Sequence, residues 1–146
     1  LVRVSASSRD QAYVKRARLQ DLVQRCGREP TAVRMLVDLP ITLSGLPEHA
    51  AARLDLAEEI TGKPLGGGGA RFVGTPAQLT QVLVEWVDHA ACDGFTFLPT
   101  SLPADLLQVV DVVTPALAAA GYRPSSYLRP SPHATTPRAI PVSPLR

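Results

Sequence analysis

The stretch from Gly74 to Gly121 limits the fold more than any other part of the chain. It lays a helix, a short strand, a loop and a second helix end to end, with no Asn-Gly hairpin signal between them. Strands joined through helices run parallel, whereas strands joined by tight turns do not. Thr75 offers a hydroxyl cap to the first helix, and Pro76 follows at the first helical position, where a missing N–H is harmless. Leu79, Val82, Leu83, Trp86, Val87 and Ala90 then recur at three- and four-residue steps and form one apolar stripe. Asp93-Gly94 signals a turn, and Phe95 to Leu98, closed by Pro99, has the aromatic and β-branched content of a short buried strand. The second helix carries Leu106, Leu107, Val109, Val110, Val113 and Leu117. Pro115 predicts a kink or two pieces, and Gly121 a left-handed stop.

Upstream, Leu1 to Ser5 alternates apolar and polar residues as a strand does, and Ser8 with Gln11 has capping-box spacing. A helix is predicted from there to about Arg25, using Ala12, Val14, Ala17, Leu19, Leu22 and Val23 as apolar positions and stopping at Gly27. Val33 to Ser44 predicts a strand interrupted near Pro40, since proline in a sheet belongs at a bulge or an edge. Asp38 reads as a loop or strand-end carboxylate in preference to a general base. Pro47 opens a third helix, with Ala51, Leu54, Leu56, Ala57 and Ile60 continuing it to Gly62. Gly66 to Gly69 lacks the strand, helix and Lys-Ser/Thr pair of a phosphate cradle and reads as a flexible loop. Residues 124–146 hold six of the 14 prolines and no periodic apolar face, which predicts a disordered or surface-laid tail.

The 146 residues suffice for one domain with a core. A net charge of +2 gives no electrostatic footprint for nucleic acid or anionic lipid. No apolar run reaches a membrane span, and no signal-peptide pattern opens the chain, so the expectation is a cytoplasmic protein. Cys26 and Cys92 read as reduced, buried thiols. His49, His89 and His133 lie in separate segments with no second ligand at useful spacing, so no metal site is expected. Glu58-Glu59 and Glu85 with Asp88 read as solvated helix faces.

Phe72 to Tyr122 resembles the end of the bacterial luciferase-like flavin-dependent monooxygenases. Within that superfamily it is most similar to the branch of nitrilotriacetate, dibenzothiophene-sulfone and long-chain alkane monooxygenases. The residues that carry the resemblance are Gly74-Thr75-Pro76, Trp86, Asp93-Gly94-Phe95, Leu98-Pro99, Leu102-Pro103, Pro115, Leu117 and Gly121. Arg9-Asp10 and Gly27-Arg28 extend it upstream, so it covers roughly Ser8 to Tyr122. The resemblance implies a (β/α)8 barrel, reduced FMN supplied by a separate flavin reductase, and O2 used to oxidise a small organic substrate. A barrel of this kind takes about 250 residues. Residues 1–123 are therefore expected to be the C-terminal portion of one, an expectation that fits an opening Leu1 in place of Met. The alternatives are a deazaflavin-dependent reductase or dehydrogenase of the same superfamily, and a non-catalytic half-barrel that associates, as a homo-oligomer or otherwise, through its open sheet edges.

The superfamily's serine-bearing loop for the flavin phosphate has no counterpart here, so no catalytic or cofactor-binding residue is assigned. Ligands of parallel α/β folds bind beyond the carboxyl ends of the strands. Phe97, Leu98 and Pro99 lie at such an end and are candidate walls of a substrate pocket, with core packing the competing role for Phe97 and Leu98.

Overall fold

The computed structural model describes residues 1–65 and 68–122. The run at Gly66-Gly67 and the proline-rich tail lie outside the described residues. In chain order the elements are β1 (Val2–Val4), α1 (Arg9–Arg25), β2 (Met35–Leu43), α2 (Pro47–Thr61), β3 (Phe72–Gly74), α3 (Pro76–Asp88), β4 (Gly94–Pro99), α4 (Ala104–Gln108) and α5 (Thr114–Ala119). All three strand pairings are parallel, as the helix-linked order predicts.

β2 is the centre of the sheet. Its start pairs with β1 through Val2 and Met35, its end pairs with β3 through Ile41 and Phe72, and β4 runs along its other side from Leu36–Gly94 to Ile41–Pro99. β1 and β3 thus share one edge with a gap between them. That gap explains Pro40, which does not interrupt the strand as expected but sits inside it, opposite Leu98. The carbonyl of Ile41 accepts from Thr100 on the β4 side, while Arg34 and Ser44 bond β1 and the end of β3 on the other side. Even-numbered residues of β2 therefore turn their backbone groups toward the β1/β3 edge. The N–H that Pro40 lacks would have pointed into the gap, so the substitution removes no ladder bond.

The side chains of β2 alternate between two faces. Met35, Val37, Leu39, Ile41 and Leu43 are buried toward the helices. Met35 and Val37 meet Ala12, Trp86, Ala91 and Cys92, and Leu39, Ile41 and Leu43 meet Leu79, Leu83, Val109 and Val113. Phe95 bridges the two groups, 5.8 Å from Trp86 and 6.4 Å from Phe97 between ring centroids. Full burial of each such aliphatic side chain stabilises by about 1.5–3 kcal/mol, so this face supplies most of the driving force. The opposite face carries Leu36, Asp38, Pro40 and Thr96, which are partly exposed, and Leu98, which is exposed. Asp38 is mid-strand there, paired with Arg3 at 2.8 Å, and is neither a loop nor a strand-end carboxylate.

The helix boundaries follow their caps. Ser8 accepts from the N–H of Gln11, and Thr75 and Gln78 form a full capping box. A Cβ at Gly74 would come 2.7 Å from Gln78 Oε1 and 3.1 Å from the Phe72 ring, so a larger residue there would push the Gln78 side chain out of its place in the capping box. Gly27, Gly62 and Gly121 all have left-handed φ at helix ends, as expected. Near Pro115 the chain stays helical without a break. Residues Val109–Val113 form a π turn that joins α4 to α5 and accommodates the missing donor.

Several apolar expectations need correcting. Val14 and Leu22 of α1, Leu56 and Ile60 of α2, and Leu106, Leu107 and Val110 of α4 and the π turn are exposed. Cys26 is exposed as well, and only Cys92 is buried. At the amino ends of the strands, Asp93 is more than a turn residue. Its carboxylate accepts from Arg16 at 2.7 Å and from the N–H of Met35 at 2.8 Å, which ties α1 to β2 and β4.

Candidate functional site

The carboxyl ends of β2 and β4 meet the first turns of the following helices, and one side chain organises this corner. Asp105 opens α4 and is 0% exposed. Oδ1 accepts from the N–H of Leu43 at 3.0 Å, and Oδ2 accepts from the N–H of Ser101 at 2.9 Å. Arg53, reaching across from α2, places Nη1 3.1 Å from Oδ1. The same guanidinium donates to the carbonyl of Leu43, which also accepts from Gln108 Nε2 at 3.2 Å. A buried carboxylate is tolerable only when paired and hydrogen-bonded, and this one has two backbone donors and a cation. The effect is to fix the end of β2, the loop after β4, α2 and α4 against one another.

Beside this lock, Thr42 at the end of β2 and Thr100 just past β4 share a hydroxyl–hydroxyl hydrogen bond of 2.8 Å. Two depressions flank the pair. One, of about 370 Å³, is lined by Pro40, Leu65, Leu98, Pro99 and Thr100. The other, of about 250 Å³, is lined by Thr42, Arg53, Leu56, Ala57, Ile60, Thr100 and Ser101. Leu65 is held at the rim of the first by Glu58, which accepts from its N–H at 2.9 Å and also pairs with Arg71. Leu98 and Pro99 therefore line a depression at the strand ends, with Leu98 exposed. Phe97 does not share that space, because it is in register with Leu39 and packs among the helix-facing residues.

The lining is apolar with hydroxyls at one corner. Of the described residues lining the two depressions, only Arg53 is charged, and its guanidinium is committed to Asp105 and to the Leu43 carbonyl. Such a surface can position an organic group and exclude water from it. It does not fit the phosphate of a flavin nucleotide, which calls for free N–H donors or an uncommitted cation. Among the described residues, no group of three or more His, Cys, Asp or Glu side chains could hold a metal ion. His49 and His89 are exposed on separate elements, and His133 lies outside the described residues.

The Asp105–Arg53 lock was not foreseen from the sequence. Its one legible signal is an acidic residue in the first turn after Leu102-Pro103, and nothing in the linear pattern announces that Arg53 reaches it from α2.

No protein-family model matches the chain. A stretch of 50 residues, 34% of the chain, is 50% identical to the N-acetyl-S-(2-succino)cysteine monooxygenase of Bacillus subtilis strain 168, of which it covers 11%. The fold matches the crystal structure of a long-chain alkane monooxygenase with a TM-score of 0.68 at 16% identity, over 86% of this chain and 38% of that one. It also matches the crystal structure of a riboflavin lyase with modified FMN and riboflavin, with a TM-score of 0.69 at 16% identity, over 86% of this chain and 40% of that one. The chain thus spans about two fifths of the length of these solved relatives. Local sequence identity to a monooxygenase and a shared parallel α/β architecture both agree with the resemblance to the bacterial luciferase-like flavin-dependent monooxygenases carried by Gly74 to Gly121.

Proposed function

We propose that the chain is the C-terminal portion, residues 1–123 plus a tail, of a cytoplasmic FMN-dependent monooxygenase that oxidises a small organic substrate. The observation that carries this reading is the 50% identity over 50 residues to a protein named as a monooxygenase, in a chain whose strand ends open onto depressions. Reduced FMN, delivered by a separate flavin reductase, would supply the oxygen-activating chemistry. The residues lining the two depressions do not fit its phosphate, so we assign its anchoring to other parts of the protein. What this portion contributes is a wall. Leu98 and Pro99 give it an apolar surface, the Thr42–Thr100 pair gives it hydrogen-bonding capacity, and Asp105 with Arg53 fixes the loops that carry both.

The test is a coupled assay on the complete polypeptide with a flavin reductase, NADH, FMN and O2. The reading predicts substrate-dependent product formation that requires FMN. Activity with a deazaflavin and none with FMN would move the protein to the reductase or dehydrogenase alternative.

A second reading has its own observation. One long side of β4 has no partner strand among the described residues, and Leu102 and Ile60 stand 69% and 76% exposed. Open edges and apolar faces of this kind invite association, so the 146-residue chain by itself is expected to self-associate. Sedimentation as a monomer at high micromolar concentration would contradict that reading.

A further inference from the structure

The lining of the strand-end depressions restricts what can occupy them. The larger is walled by Pro40, Leu65, Leu98 and Pro99, with Thr100 shared between it and the smaller. Arg53, on the wall of the smaller depression, is already matched by the fully buried Asp105 at 3.1 Å and by a backbone carbonyl, and Arg71, which reaches the Leu65 carbonyl at the rim of the larger, is paired with Glu58 at 2.7 Å. A carboxylate entering this space would lose hydration and find no free positive charge. Drawing Arg53 away would strand Asp105 without its counter-ion, which is strongly unfavourable. The Thr42–Thr100 hydrogen bond uses one of two hydroxyl protons, so the pair keeps one donor and spare acceptor lone pairs for a neutral partner.

Resting on the reading of this corner as part of a substrate cavity, we infer that it takes a neutral, mainly apolar organic molecule with one hydrogen-bonding group and discriminates against carboxylates. The alkyl part lies along Leu98, Pro99, Pro40 and Leu65, and the polar group meets the Thr42–Thr100 pair.

The test needs no flavin, so its failure is separable from failure of the monooxygenase reading. The 146-residue chain, labelled with 15N, is titrated with hexanol and with hexanoate at pH 7, two probes of equal alkyl length. Hexanol is expected to shift the amide signals of Leu65, Leu98 and Thr100 saturably. Hexanoate is expected to bind at least about tenfold more weakly, a difference of about 1.4 kcal/mol. Leu98→Asp, a change on an exposed side chain that leaves the helix-facing core untouched, is expected to abolish the hexanol shifts. Equal or tighter binding of hexanoate at these residues overturns the inference, as does hexanol that leaves them unmoved. Shifts that follow protein concentration instead of ligand would show a second copy covering the face and would overturn it too.

Discussion

Replacing Asp105 by alanine should loosen the whole corner at the strand ends, and the size of the effect can be worked from its contacts. The substitution orphans two backbone N–H groups, those of Leu43 and Ser101, now bonded at 3.0 and 2.9 Å. Each buried donor left without a partner costs about 1–3 kcal/mol. Arg53 also loses its carboxylate, but its side chain is 32% exposed and can turn toward water, so its share is small. The sum is roughly 3–5 kcal/mol, within the range for breaking a buried pair. In a domain of this size that lowers the melting temperature by roughly 10–15 °C. Calorimetry gives the total, and amide hydrogen exchange gives the location, with lost protection concentrated at Leu43 and Ser101. Arg53→Met keeps both backbone bonds to Asp105 but strands its fully buried carboxylate without a cation, and should cost a comparable amount, about 3–5 kcal/mol. A loss below about 1 kcal/mol for Asp105→Ala, or unchanged exchange at the two amides, would refute the assignment of Asp105 as the lock.

Other expectations follow from single observations. Burial pushes the Cys92 thiol up from 9.0 to about 11, while Cys26 is exposed, so a thiol reagent at pH 8 should titrate one cysteine in the native chain and two in denaturant. Because folded Cys92 holds its proton more tightly than the unfolded thiol, its contribution to stability should be intact below pH 9 and fall as pH rises from 9 to about 11, measurable by denaturant midpoints. Thr75→Ala removes the cap of α3 and should destabilise by about 1 kcal/mol in the same measurement. Pro40→Val should change stability by less than about 1 kcal/mol, since the N–H it restores points into the gap between β1 and β3, whereas Ile41→Pro breaks the ladder to β4 and should cost about 3 kcal/mol or more.

Local chemistry made the helix and strand limits readable in advance. Ser8, Thr75, Gly27, Gly62 and Gly121 each act through hydrogen bonds or φ values set by near neighbours, and the structure places all five at helix ends. The parallel sheet was likewise readable from helices standing between strands. Pro40 was not, because its tolerance depends on where β1 stops and β3 begins, a feature of two strands remote in sequence. The exposure of Leu22, Leu56 and Ile60 was hidden for a similar reason. Periodicity shows that a helix has an apolar face, not whether the described residues cover it. At the carboxyl end of β4, position marked Phe97, Leu98 and Pro99 as candidate walls; Leu98 and Pro99 line a depression, but the register with Leu39 sends Phe97 to the helix side. Asp105 and Arg53, separated by two strands and a helix, could be paired only by the fold.

The measurement that bears most directly on the account is a titration of reduced FMN, under anaerobic conditions, against the complete polypeptide and against the 146-residue chain in parallel. The account predicts saturable binding by the complete polypeptide with a Kd of about 1 μM and binding by the chain at least about a hundredfold weaker, a difference of about 2.7 kcal/mol, because the described residues lining its strand ends offer no phosphate site. Tight binding by the chain alone, or none by the complete polypeptide, would contradict it.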